Sequence, residues 1–180
     1  MPKQYEKDNY ISGKTFKLAL SQGLYATVDL DHKDIVLAFT WCAASDRNGY
    51  TIAQTTYKDE HGKKKSLKLH HLIAGTPLKG HCIDHINGDP LDNRRANLRP
   101  CTKAQNNRNR HKIRGEVSYK GVRKVGERYR AEISHQNKRK SLGYHDTPEE
   151  AALAYNEAAR LYHGEFAYLN DVSAALALAA

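Results

Sequence analysis

His81-Cys82-Ile83-Asp84-His85-Ile86-Asn87-Gly88-Asp89-Pro90-Leu91-Asp92-Asn93-Arg94-Arg95-Ala96-Asn97-Leu98-Arg99-Pro100-Cys101-Thr102-Lys103-Ala104-Gln105-Asn106 is the stretch on which the reading of this chain turns. His81-Cys82-Ile83 reads as a short strand. The run from Asn87 to Asn97 is rich in Gly, Pro, Asp and Asn, which fold into turns by bonding nearby backbone or by tolerating positive φ. Leu98-Arg99-Pro100-Cys101 returns. Thr102 followed three residues later by Gln105 is a capping-box pattern, which predicts a helix carrying Asn106 on its first or second turn. The local order is strand, loop, strand, helix.

That order gathers groups suited to phosphodiester hydrolysis, which needs a base for water, a cation on the phosphate and stabilisation of the departing alkoxide. Asp84 and His85 offer the first two on adjacent residues. The predicted strand ends at Ile83, so a local twist could set the Asp84 carboxylate on a metal and the His85 imidazole on water. Asn106, 21 residues after His85, could complete the ligands, and an Asp/Asn oxygen set suits Mg²⁺ or Mn²⁺ better than zinc. Asn97 is better cast as a brace for the loop that orients the histidine. A polar turn without chemistry is the competing reading of such a short motif; the second Asn, the capped helix and the basic context weigh against it.

Outward from the motif, residues 1–70 show alternating segments at Phe16–Leu20, Leu24–Val28, Tyr50–Thr55 and Ser66–Leu69, separated by Ser21-Gln22-Gly23, Asn48-Gly49 and His61-Gly62, which predicts a small β region with Trp41 in its core. Leu67–Ile73 leads into a Gly-Pro-rich connection. Cys42, Cys82 and Cys101 are odd in number, widely spaced and without a Cys-x-x-Cys pair, so buried thiols are expected, with a structural metal shared by Cys82 and Cys101 as a minor alternative.

The chain has 180 residues, 29 Lys+Arg against 20 Asp+Glu, and a net charge of +9. Residues 103–140 alone hold thirteen basic residues against Glu116, Glu127 and Glu132. A polyanionic partner suits this balance. No apolar run approaches membrane-spanning length, and the start lacks the apolar stretch of a signal peptide, so a cytosolic protein is expected.

After a basic linker, three strand-like runs follow: Tyr119–Lys124, Arg128–Ser134 and Lys138–Tyr144. Thr147-Pro148-Glu149-Glu150 supplies an N-cap, Pro at the first helical position and Glu at the third, and Gly164 ends the helix. Tyr129, Ala131 and Ile133 share one face of the middle strand for the helix to cover. Arg128 and Arg130 share the other, with Arg123 and Arg139 extending it and Lys124 and Lys140 adding charge. Such a face could enter a major groove, where Arg reads guanine and Lys or Arg neutralises phosphate.

Ile83-Asp84-His85-Ile86-Asn87-Gly88-Asp89, Leu91-Asp92-Asn93-Arg94-Arg95-Ala96-Asn97-Leu98-Arg99 and Asn106-Asn107 resemble the HNH (ββα-metal) endonucleases, especially the phage and intron-encoded homing branch. The resemblance implies metal binding by Asp84 and Asn106, His85 as general base and Asn97 as a structural residue. Asn107 could replace Asn106 in a shifted register, and His70-His71 stand where the family often has His-Arg, which leaves their roles open. Tyr119-Lys120-Gly121-Val122-Arg123, Ala131-Glu132-Ile133, Leu142-Gly143-Tyr144, Thr147–Ala152, Ala154-Tyr155-Asn156 and His163–Asn170 resemble the apetala/ERF-type DNA-binding domain, with Tyr129 in place of a Trp.

Together these predict an α+β chain: an N-terminal β region (1–70), an HNH module (71–110), a basic linker (111–117), a DNA-binding domain of three antiparallel strands on one helix (118–170) and a tail (171–180). The resemblance implies a metal-dependent DNA endonuclease, magnesium- or manganese-bound, acting on double-stranded DNA as a monomer or homodimer in the cytoplasm of a bacterial host, carried by a phage or mobile element. The alternative is a DNA-binding regulator on a nuclease-like scaffold. An RNA-binding protein is disfavoured by the few aromatics on the sheet.

Overall fold

The computed structural model describes residues 8–110 and 116–173, so most of the linker and of the tail lie outside the described residues. The fold is α+β, with several small antiparallel sheets. The chain divides into two compact units, residues 1–103 and 104–180.

In the first unit, β1 (Tyr10–Ser12), β2 (Thr15–Ala19) and β3 (Tyr25–Asp29) form an antiparallel meander. Phe16 pairs with Val28 and Leu18 with Ala26, so all four share the inner face and are buried. A short helix, α1 (Lys33–Leu37), precedes a second meander of β4 (Cys42–Ser45), β5 (Thr51–Lys58) and β6 (Lys64–Lys68). Asp46 and Asp59 shape its two turns by accepting backbone N–H groups two and four residues on. Trp41 is buried at the centre, its indole donating to Val36 O at 2.7 Å, which satisfies the one polar atom of the ring.

The motif joins this core. α2 (Leu69–Ala74) leads to the antiparallel pair β7 (His81–His85) and β8 (Leu98–Thr102), and Leu69, Ile73, Ile83 and Leu98 belong to the same apolar cluster as Phe16 and Trp41. Two sequence expectations are corrected here. Leu67–Ile73 is not merely a lead-in: Leu69 starts a helix, whose six residues are too few for helical periodicity to register. β7 also runs two residues past Ile83 to His85, because Asp84 and His85 find partners across the ladder in Arg99 and Leu98.

The second unit contains α3 (Lys103–Asn109) except its first residue, then β9 (Val122–Val125), β10 (Arg128–His135), β11 (Lys138–His145) and α4 (Pro148–His163). β10 is the central strand of an antiparallel sheet. Gln136 and Asn137 both take positive φ, 50° and 59°, in the two-residue turn that joins β10 to β11. α4 starts with the expected capping box, Thr147 Oγ1 accepting from Glu150 N while Glu150 Oε2 accepts from Thr147 N. Its small residues Ala151, Ala152, Ala158 and Ala159 are buried, which lets the helix lie close on Ala131 and Ile133. Gly121 is part of that fit: at φ +78° a Cβ would stand 2.1 Å from the Tyr155 ring and 2.7 Å from Glu132 O. Among the described residues no helix is long and apolar enough to cross a membrane.

Candidate active site

β7 and β8 present the motif on a two-stranded ladder whose register decides which side chains meet. Asp84 lies directly across from Arg99. Its carboxylate is 4 % exposed, and Oδ2 accepts both Arg99 Nε at 2.9 Å and Nη2 at 2.8 Å. One pair along on the same face, Cys82 faces Cys101 with the sulfurs 3.3 Å apart and unbonded. Burial, with the neighbouring thiol, pushes Cys101 up to about 12, which disfavours the thiolate that a metal would need. Among the described residues this pair has no third His, Cys, Asp or Glu ligand, so the structural-metal alternative finds no support.

His85 leaves the opposite side of the pleat, the side of Ile83 and the core. It is 9 % exposed and stands edge-on to His70 of α2, ring centroids 5.2 Å apart. Its Nε2 lies 3.4 Å from Asn93 Oδ1. Asn93 is fully buried, and its amide nitrogen donates to Pro90 O at 3.3 Å, so the oxygen is the atom turned to the histidine. An oxygen accepts only. Nε2 of neutral His85 therefore carries the proton, and Nδ1 carries the lone pair. Burial lowers the pKa of His85, and the Asn93 contact and the charges of Asp84, Asp89 and Asp92 oppose that shift without cancelling it. The ring is thus neutral at neutral pH.

His70 and His71, whose roles the sequence left open, sit with ring centroids 4.6 Å apart on α2. Burial first, then electrostatic coupling to His85, His71 and Lys68, takes His70 down to about 3, and burial and Lys68 lower His71 as well.

Asn97 makes the hydrogen bonds of a brace. Its Oδ1 accepts from Asn87 N at 3.0 Å, and its Nδ2 donates to Asn87 Oδ1 at 2.9 Å and to Asp92 O at 2.7 Å. Asp92 is closed at both oxygens by the Arg94 guanidinium, with Asn87 Nδ2 adding a bond at 2.8 Å, and the Arg94 contacts hold its carboxyl below the usual range.

The loop is also fastened to the first sheet, where the sequence had suggested no role. Thr27 of β3 donates to Leu91 O at 2.8 Å and accepts from Asn93 N at 2.7 Å, while Asp29 Oδ2 accepts from Arg95 N at 2.6 Å. The residues missed from sequence are therefore Asn93, which orients His85, and the β3 edge, which orients Asn93. Backbone-mediated anchoring leaves no sequence signal; a fully buried Asn beside the motif was the one clue.

The described residues contain one group of three metal-ligating side chains, Asp29, Asp31 and His32, with ligand atoms within 4.8 Å of one another. It is partly exposed, and Asp29 is already committed to Arg95 N. Asp84 fits a hard divalent cation better: it is a buried carboxylate fixed on the ladder by Arg99, beside His85. Asn106 and Asn107 lie on α3, in the second unit.

On the sheet of the second unit, Arg123, Arg128, Arg130 and Arg139 occupy one face. Glu132 stands among three of them, 3.4 Å from Arg139 and 4.0 Å from Arg123 and Arg130, while Arg128 pairs with Asp146 at 3.0 Å. Lys124 and Lys140 are on the other side, paired with Tyr129 and Ile133, and Lys140 Nζ lies 4.4 Å over the Tyr162 ring.

Residues 70–108, which span α2, the β7–β8 hairpin and most of α3, match a family described as HNH endonuclease. A protein of Acanthamoeba polyphaga mimivirus, uncharacterized HNH endonuclease L560, is 30% identical over 161 residues, covering 86% of this chain and 79% of the relative. With a buried Asp-His pair on the hairpin and likeness to that relative along most of both chains, this protein belongs to the HNH endonuclease family.

Proposed function

We propose that the chain is a metal-dependent endodeoxyribonuclease of the homing type, brought to duplex DNA by residues 118–170. The observation that carries this reading is the orientation of His85: a buried, neutral imidazole held with Nε2–H toward Asn93 Oδ1, next to Asp84 on the ladder, which is the form of the side chain that can take a proton from water. Asp84 and Asn106 are the ligands assigned from sequence position, and Arg99 fixes the Asp84 carboxylate on the ladder. Bound there, Mg²⁺ or Mn²⁺ would polarise the scissile phosphate and stabilise the leaving oxygen. Asn97 holds the loop and does not touch substrate.

The four arginines of the outer sheet face are the proposed DNA contacts, in a domain of apetala/ERF type. Their pairs with Glu132 and Asp146 are partly or largely exposed and worth about 0–1 kcal/mol each, so phosphates can displace them at small cost. Lys124 and Lys140, on the helix side, add long-range charge at most. One such site cuts one strand, so a monomer nicks and a double-strand break requires a dimer or two events.

The test is incubation of the protein with supercoiled plasmid and Mg²⁺, beside EDTA and His85→Ala controls. Relaxed circles that need both metal and His85 are expected. Cleavage that survives His85→Ala, or a plasmid that is retarded on a gel yet stays supercoiled when the target site is present, would overturn the assignment and favour a DNA-binding regulator.

A further inference from the structure

α3 has seven residues, about two turns, and helices of that length are marginal on their own. The last carbonyls of a helix have no further turn of N–H groups to meet them. One side chain meets two carbonyls at this end. Lys120, on the segment entering β9, donates its Nζ to Arg108 O and, at 2.7 Å, to Arg110 O. Arg110 N in turn donates to Asn106 O at 3.1 Å, continuing the helical ladder. A cation at a helix C-terminus also complements the helix dipole.

Lys120 is itself held rigidly. Its backbone N–H donates to Asn170 Oδ1 at 2.7 Å, and its carbonyl accepts from Asn170 Nδ2 at 3.0 Å. Asn170 is locked to Asn156 of α4 by two further bonds, at 2.7 and 2.9 Å. The ammonium lies 5.2 Å over the Tyr168 ring. An unbroken polar chain thus runs from α4 through Asn170, Lys120 and Arg110 to the backbone of Asn106, all within the second unit. Burial lowers Lys120 to about 8, which still leaves the ammonium dominant at neutral pH.

We infer that Lys120 is a positioning residue for the nuclease reaction: by gripping the C-terminal carbonyls of α3 it fixes the helix that presents Asn106. The sheet-and-helix unit then does more than find DNA; it holds the helix that carries Asn106. This rests on Asn106 as a metal ligand.

The test compares full-length wild type, Lys120→Met, Lys120→Arg and Asn106→Ala. Three quantities are measured: the Mg²⁺ concentration for half-maximal plasmid nicking, duplex affinity in EDTA, and amide exchange at Asn106–Arg110. Lys120→Met is expected to raise the Mg²⁺ requirement at least fivefold and speed α3 exchange at least tenfold, with duplex affinity within twofold of wild type. Lys120→Arg, which keeps donors at the same place, restores the Mg²⁺ requirement. An unchanged requirement in Lys120→Met, beside a raised one in Asn106→Ala, overturns the inference alone. An unchanged requirement in Asn106→Ala removes the ligand assignment on which it rests. A tenfold loss of duplex affinity without a metal effect makes Lys120 a phosphate contact and also overturns it. If Lys120→Met fails to fold, the unmodified chain still decides: the Lys120 ammonium protons should exchange slowly with water, and fast exchange would refute the grip on α3.

Discussion

Asn97→Ala separates a brace from a catalyst. The substitution removes three hydrogen bonds and orphans Asn87 N and Asp92 O around a side chain that is 8 % exposed. Leaving a buried polar partner unsatisfied costs about 1–3 kcal/mol, so the two orphaned backbone groups together cost about 2–6 kcal/mol, less whatever water recovers. For a unit of roughly a hundred residues, each kcal/mol moves Tm by about 4–8 °C, so a fall of at least ~8 °C is expected. The lone tryptophan makes this measurable for one unit at a time, because Trp41 is in the core of the first unit and its fluorescence reports that unit's transition. Nicking should be assayed well below the shifted transition, where the surviving rate reports loop geometry alone. A Trp41 transition within 2 °C of wild type would refute the bracing argument, and an unshifted transition with abolished cleavage would move Asn97 into direct contact with the reaction.

Asn93→Leu removes the acceptor that selects the His85 tautomer, so cleavage should fall on the order of 10–100-fold, the usual effect of losing such a partner, with duplex affinity unchanged by gel shift. His70 makes the first unit sensitive to acid: its folded pKa of about 3 lies below the ordinary 6.5, so stability is complete above 6.5 and is lost as pH falls toward 3, by about 2 kcal/mol at pH 5 at 1.36 per unit. His70→Leu should flatten that slope in the Trp41 transition, and a slope retained unchanged would assign it elsewhere. Gly121→Ala drives a methyl into the Tyr155 ring at a positive φ and should cost the second unit more than about 2 kcal/mol, seen as lost duplex binding while the Trp41 transition stays in place. Replacing Arg123 and Arg130 by Gln should reduce the slope of log affinity against log salt by about 2 if both meet phosphate, and an unchanged slope would take that face off the DNA.

Much of the fold was legible because its pattern is local. Strands β2, β3 and β10 alternate apolar and polar residues, and α4 announces its start in Thr147-Pro148-Glu149-Glu150 and its end in Gly164. What stayed hidden depends on partners distant in sequence or on elements too short to show a period. α2 buries only Leu69, His70 and Ile73, which no six-residue window distinguishes from a strand end. Lys124 and Lys140 are basic residues in a basic stretch, and only the register with Tyr129 and Ile133 places them behind the sheet. The anchoring of the loop by Thr27 uses backbone atoms alone, and those are the same for any residue there except proline.

Two buried aspartates eight residues apart show how geometry assigns different work to one residue type. Asp92 and Asp84 are each paired with an arginine, so charge and burial alone do not tell them apart. The difference is in what each pair holds. Arg94 reaches both oxygens of Asp92, and Asn87 adds a third bond, so this carboxylate is spent on holding the turn. Arg99 reaches Asp84 from directly across the ladder, donating to Oδ2 through Nε at 2.9 Å and Nη2 at 2.8 Å. The arginines differ as well: Arg94 is 46 % exposed and can be replaced by water, whereas Arg99 is 12 % exposed and cannot leave its partner without stranding a buried cation. Arg99 therefore fixes the Asp84 side chain on the rigid ladder beside His85, whereas Arg94 serves only to close a turn. A carboxylate held in place on a ladder, and not spent on shaping a turn, is what the proposed metal ligand needs.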